Sequence, residues 1–196
     1  MPKSYSDQEK AYIKKRLKEE AYDCMSRYGI RRTTVDELVK RVKIPKGTFY
    51  LFYPSKEMLL FEVILEQHEQ VEQELLASLQ GLKQADITVD QVTDVVTAIF
   101  KKALQMPILK LLNSDEVEIL ARKLPPEIVA EHLGHDSNML EQVFQYLPTK
   151  PDVKPESFSA AFQAIYFSTL HAEVIEEQNF EEGLRLLVRG LILQMM

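Results

Sequence analysis

Apolar residues recur every three to four positions along most of this 196-residue chain, and no segment alternates apolar and polar residues as a half-buried strand does. Glycine is scarce, with six residues, and tryptophan is absent, while leucine, glutamate, glutamine, lysine and alanine are abundant. These abundant residues favour helices over sheets. The pattern therefore predicts an all-α fold of about nine helices.

The cysteine content and the apolar runs exclude several classes of protein. The single cysteine, Cys24, rules out an internal disulfide framework and a cysteine-based zinc site. No apolar run approaches the roughly 20 residues of a membrane span, and the first residues lack the apolar core of a signal peptide. We expect a soluble, cytoplasmic protein that makes no membrane contact. Cys24 is expected to face inward from the first helix as a small apolar side chain.

Charge is unevenly distributed along the chain, whose overall net charge is −6. Residues 1–60 contain 14 Lys and Arg against 8 Asp and Glu, whereas residues 61–196 contain 10 against 22. The first third is therefore basic and the remainder strongly acidic. This asymmetry indicates that the N-terminal part alone binds a polyanion, although a solvated basic helix would show the same composition.

Residues 34–53 have the organisation of a helix-turn-helix. Thr34 and Glu37 have the spacing of a capping box at the start of a two-turn helix. The apolar pattern breaks at residues 43–44, and Pro45 suits the first turn of the next helix, which runs from Lys46 to about residue 52. We predict that Phe49 and residue 52 form its apolar back, and that Lys46 belongs to a polar front of low bulk.

The segment Gly29–Leu60, GIRRTTVDELVKRVKIPKGTFYLFYPSKEMLL, resembles the DNA-binding domain of TetR-family transcriptional regulators. The resemblance covers about 50 to 60 residues once the first helix is included. Two positions depart from the pattern of the family. Lys43 stands where the turn usually has glycine, so the turn must tolerate a strained conformation or adopt a variant one. Pro45 replaces a small polar residue.

The resemblance implies phosphate contacts for three residues. Thr34 would contact a phosphate while capping its helix, and Tyr50 would direct its hydroxyl to a phosphate. Lys56, at the start of the fourth helix, would anchor the same backbone through its charge and the helix dipole. Each also has a plain structural interpretation, as a cap, a core residue or a solvated charge.

Base contacts are predicted for the beginning of the second helix of the motif. Gly47 and Thr48 are small enough to let the backbone approach base edges, and Lys46 can donate to guanine or to a phosphate. Arg31 and Arg32 precede the motif, and their charge and position favour a phosphate or minor-groove contact. The predicted DNA contacts are thus Arg31, Arg32, Thr34, Lys46, Gly47, Thr48, Tyr50 and Lys56.

The domain boundaries follow from the same resemblance: residues 1–54 as the DNA-binding domain and residues 55–196 as a larger helical domain for ligand binding and dimerisation. A small-molecule cavity is implied within residues 55–146 and 155–176. Many apolar and few polar groups there favour a lipophilic effector, although such residues also serve as plain core. The candidate lining residues are Phe100, Leu104, Met106, Leu120, Phe144, Phe162, Tyr166 and His171.

The last two long helices are predicted to form the interface of a homodimer. Both have wide apolar stripes, and Ala160, Ala161 and Ala164 allow close packing. The alternative is that these stripes complete the core of a single chain. The candidate interface residues are Phe158, Ala161, Ile165, Leu184, Leu187, Val188 and Leu191.

These features predict a sequence-specific, ligand-responsive transcriptional repressor that binds double-stranded DNA at a palindromic operator. Two alternatives remain: a nonspecific or architectural DNA binder, and a helical carrier or enzyme with a vestigial DNA-binding domain. We expect no enzymatic activity and no cofactor, since no phosphate-binding loop or nucleophile motif occurs. His132 and His135 form at most a weak metal pair, and we predict no metal site.

Overall fold

The computed structural model describes residues 5–82, 87–111, 115–128, 130, 142–170 and 177–196. Within these ranges the regular structure is helical and contains no strand, which confirms the all-α class. None of the helices in these ranges is both long and apolar enough to cross a membrane. The helices are α1 (Asp7–Arg32), α2 (Val35–Val42), α3 (Lys46–Phe49), α4 (Lys56–Gln80), α5 (Val89–Gln105), α6 (Pro107–Lys110), α7 (Asp115–Ala121), α8 (Pro155–Leu170) and α9 (Glu177–Met195).

Side-chain caps explain where several helices begin. The Ser6 hydroxyl accepts a hydrogen bond from the Glu9 amide, and the Glu9 carboxylate accepts one from the Ser6 amide, so α1 begins with a capping box. Thr88 and Gln91 form the same arrangement before α5. The Ser55 hydroxyl accepts from the Met58 amide at the start of α4.

The helices form two compact units. The first contains residues up to 67 together with residues 107–125, and the second contains residues 68–106 and 126–196. The units therefore do not follow the predicted boundary at residues 54–55. The reason is that Leu59 and Leu60 of α4 are fully buried, and that α6 and α7 pack against α1.

The first unit has a continuous apolar core. Leu17, Cys24 and Leu38 are completely buried, as is Phe49 of α3. The inward position predicted for Cys24 is confirmed, and burial raises the pKa of its thiol. Leu120, a candidate for the ligand cavity, is 1% exposed and belongs to this first unit, whereas the other described candidates lie in the second.

The core of the second unit corrects the predicted dimer interface at three positions. Ile165, Leu184 and Val188 are 8%, 3% and 0% exposed, and all three lie in the core of their own chain. Side chains at this depth have almost no surface left for a partner molecule. For them the alternative interpretation, that the apolar stripes complete a single chain, is correct.

Candidate nucleic-acid interface

Thr34 caps α2 as predicted, but the capping box is only half formed. The Thr34 hydroxyl accepts a hydrogen bond from the Glu37 amide at 3.2 Å. The Glu37 carboxylate does not reach back to Thr34; it accepts from Arg41 Nε at 2.7 Å, and this bond lowers the pKa of Glu37. Thr34 itself is exposed at the amide end of α2, where an anion is favoured. Its phosphate contact stays a prediction that this position supports.

The turn between α2 and α3 contains Lys43 where the family usually has glycine. Of the two forms that this residue allows, strained or variant, the turn takes the strained one. Lys43 lies in the left-handed region, with φ 61° and ψ 45°. Its amide and that of Ile44 both donate to the carbonyl of Val39, and these bonds close the end of α2. Pro45 then precedes α3 as its N-cap, and its carbonyl accepts from the Thr48 amide at 2.9 Å. Strain at Lys43 is thus offset by two backbone hydrogen bonds.

Helix α3 has a buried back and an exposed front. Phe49 is completely buried, whereas Lys46, Gly47 and Tyr50 are exposed. Nothing lies within 4 Å of the point where a Cβ of Gly47 would stand, so the backbone is open to a close approach there. The helix has four residues and is shorter than predicted. Its front nevertheless carries the small and polar groups that a groove-reading helix needs.

Thr48 was predicted to face bases, and the structure does not place it there. Its side chain is 7% exposed, and its hydroxyl oxygen lies 3.3 Å from the hydroxyl of Tyr5, to which it is hydrogen-bonded. The residue is adjacent to Phe49 on the buried side of a helix of barely one turn. Thr48 therefore attaches α3 to the segment before α1, and we remove it from the base-contacting residues.

Lys46 is exposed but already has an acidic partner. Its ammonium nitrogen lies 2.8 Å from Asp36 Oδ1, and both side chains are more than half exposed. The hydrogen bond to Asp36 raises the pKa of Lys46. An ion pair in open solvent contributes little, so a phosphate or a guanine edge can replace Asp36.

Tyr50 is half exposed and rests edge-on against Phe49, with ring centroids 5.3 Å apart and an interplanar angle of 86°. The buried ring beneath it fixes its position while its own hydroxyl remains accessible. Tyr53, in contrast, is buried, with 3% of its surface exposed, and the ammonium of Lys14 lies 5.6 Å from its ring centroid. Burial raises the pKa of Tyr53. Tyr50 therefore suits a phosphate contact, and Tyr53 supports the core.

The ammonium group of Lys56 has a structural role that the sequence did not indicate. It donates to the carbonyl of Thr33 at 2.6 Å and to the carbonyl of Ile30 at 3.1 Å. Both carbonyls belong to the end of α1, where they have no partner within the helix. Burial lowers the pKa of Lys56. The charge thus satisfies the end of α1, and the predicted phosphate contact of Lys56 stays a prediction.

Arg31 and Arg32 are both exposed at the end of α1. Arg31 Nε lies 3.9 Å from Glu116 Oε1 of α7, a loose pair that leaves the guanidinium 58% exposed. Their charge is therefore available at the edge of the motif. The predicted contacts of both arginines with DNA remain predictions.

The candidate ligand-binding residues lie in the second unit, packed around its core. Phe100 and Tyr166 have ring centroids 6.4 Å apart, and Phe144 has its ring 6.2 Å from that of Phe158. Phe162 is also half-buried against this core, and Leu104 and Met106 are half-buried near the end of α5. His171 lies outside the described residues, as do His132 and His135. Phe158, predicted for a dimer interface, thus packs at least partly within its own unit.

Two hydroxyl groups in this second unit are buried without a hydrogen-bond partner among the described residues. They belong to Thr97 of α5 and Tyr166 of α8. Burial raises the pKa of Tyr166 to about 12. Hydroxyls of this kind are the groups that an apolar site uses to orient a ligand. In the described part of the chain no three acidic, histidine or cysteine side chains are grouped as metal ligands.

Residues 18–63 match the family model of bacterial regulatory proteins of the tetR family. The chain is 41% identical over 46 residues to an uncharacterized HTH-type transcriptional regulator of Bacillus subtilis, YuxN, and this match spans 24% of the chain and 16% of that protein. The family-model match falls on the N-terminal part of the chain, where the candidate interface lies. Each match covers about a quarter of the chain.

Solved structures resemble the chain over nearly its whole length. A TetR-family transcriptional regulator of Streptomyces coelicolor has a TM-score of 0.65 at 14% identity, covering 94% of this chain and 96% of that one. The fatty acid degradation regulator FadR of Bacillus halodurans has a TM-score of 0.64 at 13% identity, covering 97% of each chain. Thermus thermophilus FadR, a TetR-family repressor solved with lauroyl-CoA, has a TM-score of 0.56 at 19% identity, covering 93% and 95%. At these identities the similarity establishes a shared fold.

Proposed function

We propose that this chain, whose residues 18–63 match the tetR family model, is a ligand-responsive repressor of the TetR family that binds a palindromic operator as a homodimer. The observation that carries the proposal is the front of α3. Lys46, Gly47 and Tyr50 are exposed together on a short helix whose back, Phe49, is completely buried. A helix supported in this way presents donors and open backbone to the major groove without disturbing its own core.

Dimerisation is supported by an apolar surface on the last two helices, which pack against each other. We call the exposed side chains Phe167 of α8 and Leu186, Leu187 and Leu193 of α9 the α8–α9 face. They are between 47% and 63% exposed, and Leu186 and Leu193, seven residues apart, lie on the same side of α9, as an apolar contact surface requires. A second copy of the chain covers this face by two-fold symmetry. Of the predicted interface residues, Leu187 belongs to this face.

A homodimer also provides the two recognition helices that specific DNA binding requires. A four-residue helix reaches few base edges, so specific binding needs two half-sites about 34 Å apart, one turn of the duplex. An effector releases the DNA to the extent that it binds more tightly to an arrangement in which this spacing is lost. The proposal therefore predicts that operator and effector oppose each other's binding.

The effector that we propose is lipophilic and binds in the second unit. Phe100, Phe144 and Phe162 supply apolar surface there, and the buried hydroxyls of Thr97 and Tyr166 supply points for orientation. The lauroyl-CoA bound by Thermus thermophilus FadR is an example of such a ligand in a protein of this fold. Dodecanol and lauroyl-CoA are suitable first probes. Release of the operator by either supports the proposed class, and failure of both contradicts it.

Selection of bound duplexes from a random library tests the DNA-binding function. We expect a palindromic consensus, with a selected duplex bound on the order of a thousandfold more tightly than a scrambled one at physiological salt. Equal affinity for both duplexes would indicate an architectural DNA binder. No binding even at low ionic strength would indicate a vestigial domain and would overturn the proposal.

A further inference from the structure

Leu51 is an apolar side chain at the edge of the candidate interface, and it is 72% exposed. This is the greatest exposure among the large exposed apolar side chains of the described residues. Its amide donates to the Thr48 carbonyl at 3.1 Å, so a hydrogen-bonded turn continues the course of α3 through Leu51. Leu51 follows Gly47 by four residues, a spacing that places two residues on the same side of a helical turn.

The packing around Leu51 shows that it does not serve the core. Phe49 and Tyr53 are buried, and Phe52 is partly buried. The chain therefore turns three aromatic residues wholly or partly inward across this segment and leaves Leu51 outside. Most of the apolar surface of Leu51 is available to a partner.

The surroundings of Leu51 favour DNA as that partner. Lys46, Gly47 and Tyr50 lie on the same short segment, and residues 1–60 carry an excess of six positive charges. Such a surface attracts a polyanion. An apolar side chain on it gains more from contact with base edges in the groove than from contact with the charged phosphates. The one apolar group that a base pair presents in the major groove is the 5-methyl group of thymine.

We propose that Leu51 contacts the 5-methyl group of a thymine in each half-site and so selects thymine at that position. This inference rests on the proposed function, because it requires α3 to lie in the major groove. It adds a specificity-determining residue to a segment whose other exposed groups are donors or bare backbone. The contact discriminates by apolar burial and needs no hydrogen bond.

Replacing thymine by uracil tests this contact, because uracil pairs identically and differs by the methyl group alone. Each thymine of the selected operator is replaced in turn, symmetrically in both half-sites, and the dissociation constant is measured for the wild type and for Leu51→Ala. The wild type should lose about fourfold per half-site at one position, the value expected for one buried methyl group. Leu51→Ala should bind the thymine and uracil duplexes equally.

Tyr50→Phe is the matched control, since it removes a neighbouring group without touching the apolar contact. It should weaken binding to the thymine and uracil duplexes by the same factor. The inference is overturned if no uracil substitution affects the wild type, if Leu51→Ala keeps the full preference for thymine, or if the operator has no thymine to replace. It is also overturned if Leu51→Ala changes the oligomeric state, since Leu51 would then bind protein. Absence of any selected operator overturns the proposed function itself.

Discussion

Gly29 and Glu116 fit together so closely that a side chain at position 29 would displace the Glu116 carboxylate. A Cβ atom on Gly29 would lie 2.8 Å from Glu116 Oε2, and the same oxygen accepts a hydrogen bond from the Ile30 amide at 2.6 Å. Gly29 also has φ 80° and ψ 176°, a conformation that breaks α1 one turn before its end. The carboxylate of α7 thus occupies the space that glycine leaves and satisfies the amide that the break exposes.

Gly29→Ala should therefore destabilise the protein. The substitution adds strain of about 1–3 kcal/mol at a positive φ and displaces the Glu116 carboxylate from Ile30. Urea unfolding measures the loss. Gly183→Ala is the control, because nothing lies within 4 Å of its Cβ position within α9 and alanine favours a helix there. A variant at position 29 as stable as the wild type would show that the close approach costs nothing.

Local features of the DNA-binding motif were predictable from the sequence because they depend on neighbouring residues. The cap at Thr34 follows from residue types at fixed spacing, and it is confirmed. For Lys43 the family resemblance left a strained or a variant turn open, and the structure has the strained, left-handed one. The sequence did not indicate that α1 continues to Arg32 beyond the break at Gly29.

The sequence did not indicate hydrogen bonds whose two partners lie far apart along the chain. Thr48 is held by Tyr5, 43 residues earlier, and Lys56 by carbonyls 23 and 26 residues earlier. Spacing within one helix carries no information about such partners. Three residues of the predicted dimer interface were wrong for a related reason. The apolar pattern of α9 does not distinguish Leu184, which is buried in its own core, from Leu187, which is exposed. Only the packing of α8 and α5 around that helix separates the two.

Lys56→Met should reduce stability more than it reduces DNA affinity. Methionine keeps the length of the side chain but leaves the Ile30 and Thr33 carbonyls without their donor, a loss of about 1–3 kcal/mol in unfolding free energy. Lys15→Met is the control, because Lys15 is 74% exposed and reaches a single loose partner. Unchanged stability together with lost DNA binding would contradict this expectation and would indicate that Lys56 acts by binding a phosphate.

Asp36→Asn should strengthen binding to any duplex. The substitution releases Lys46 from its 2.8 Å ion pair and removes a negative charge from the surface that meets the phosphates. The gain should be several-fold and should decrease as salt is raised. Asp7→Asn removes an exposed partner of Lys10 outside the motif and should have a smaller effect. Equal effects of the two variants would mean that net charge alone governs the affinity.

Tyr166 should make the protein sensitive to alkaline pH. Its folded pKa is raised to about 12, whereas an unfolded tyrosine titrates near pH 10, so the unfolded chain loses the proton first. Stability is therefore lost as pH rises from about 10 to about 12, by up to roughly 2–3 kcal/mol. Tyr166→Phe should lose less over this interval in urea unfolding. At neutral pH it should be at least as stable as the wild type, because it removes a buried hydroxyl that has no partner among the described residues. Identical pH profiles would place the titration elsewhere.

Leu187→Glu should convert the proposed dimer to monomers without unfolding the chain. Leu187 is 56% exposed, so glutamate is tolerated in the isolated chain, but in a two-fold interface each substitution acts twice. Loss of about 1.5–3 kcal/mol per buried leucine then lowers the dimerisation constant by two to four orders of magnitude. Sedimentation measures the oligomeric state. Leu51→Glu is the matched control, being an exposed leucine outside the α8–α9 face, and it should remain dimeric while losing DNA binding. Because the two variants separate assembly from recognition, a dimer that survives Leu187→Glu would move the interface away from α9 and leave the assignment of α3 intact.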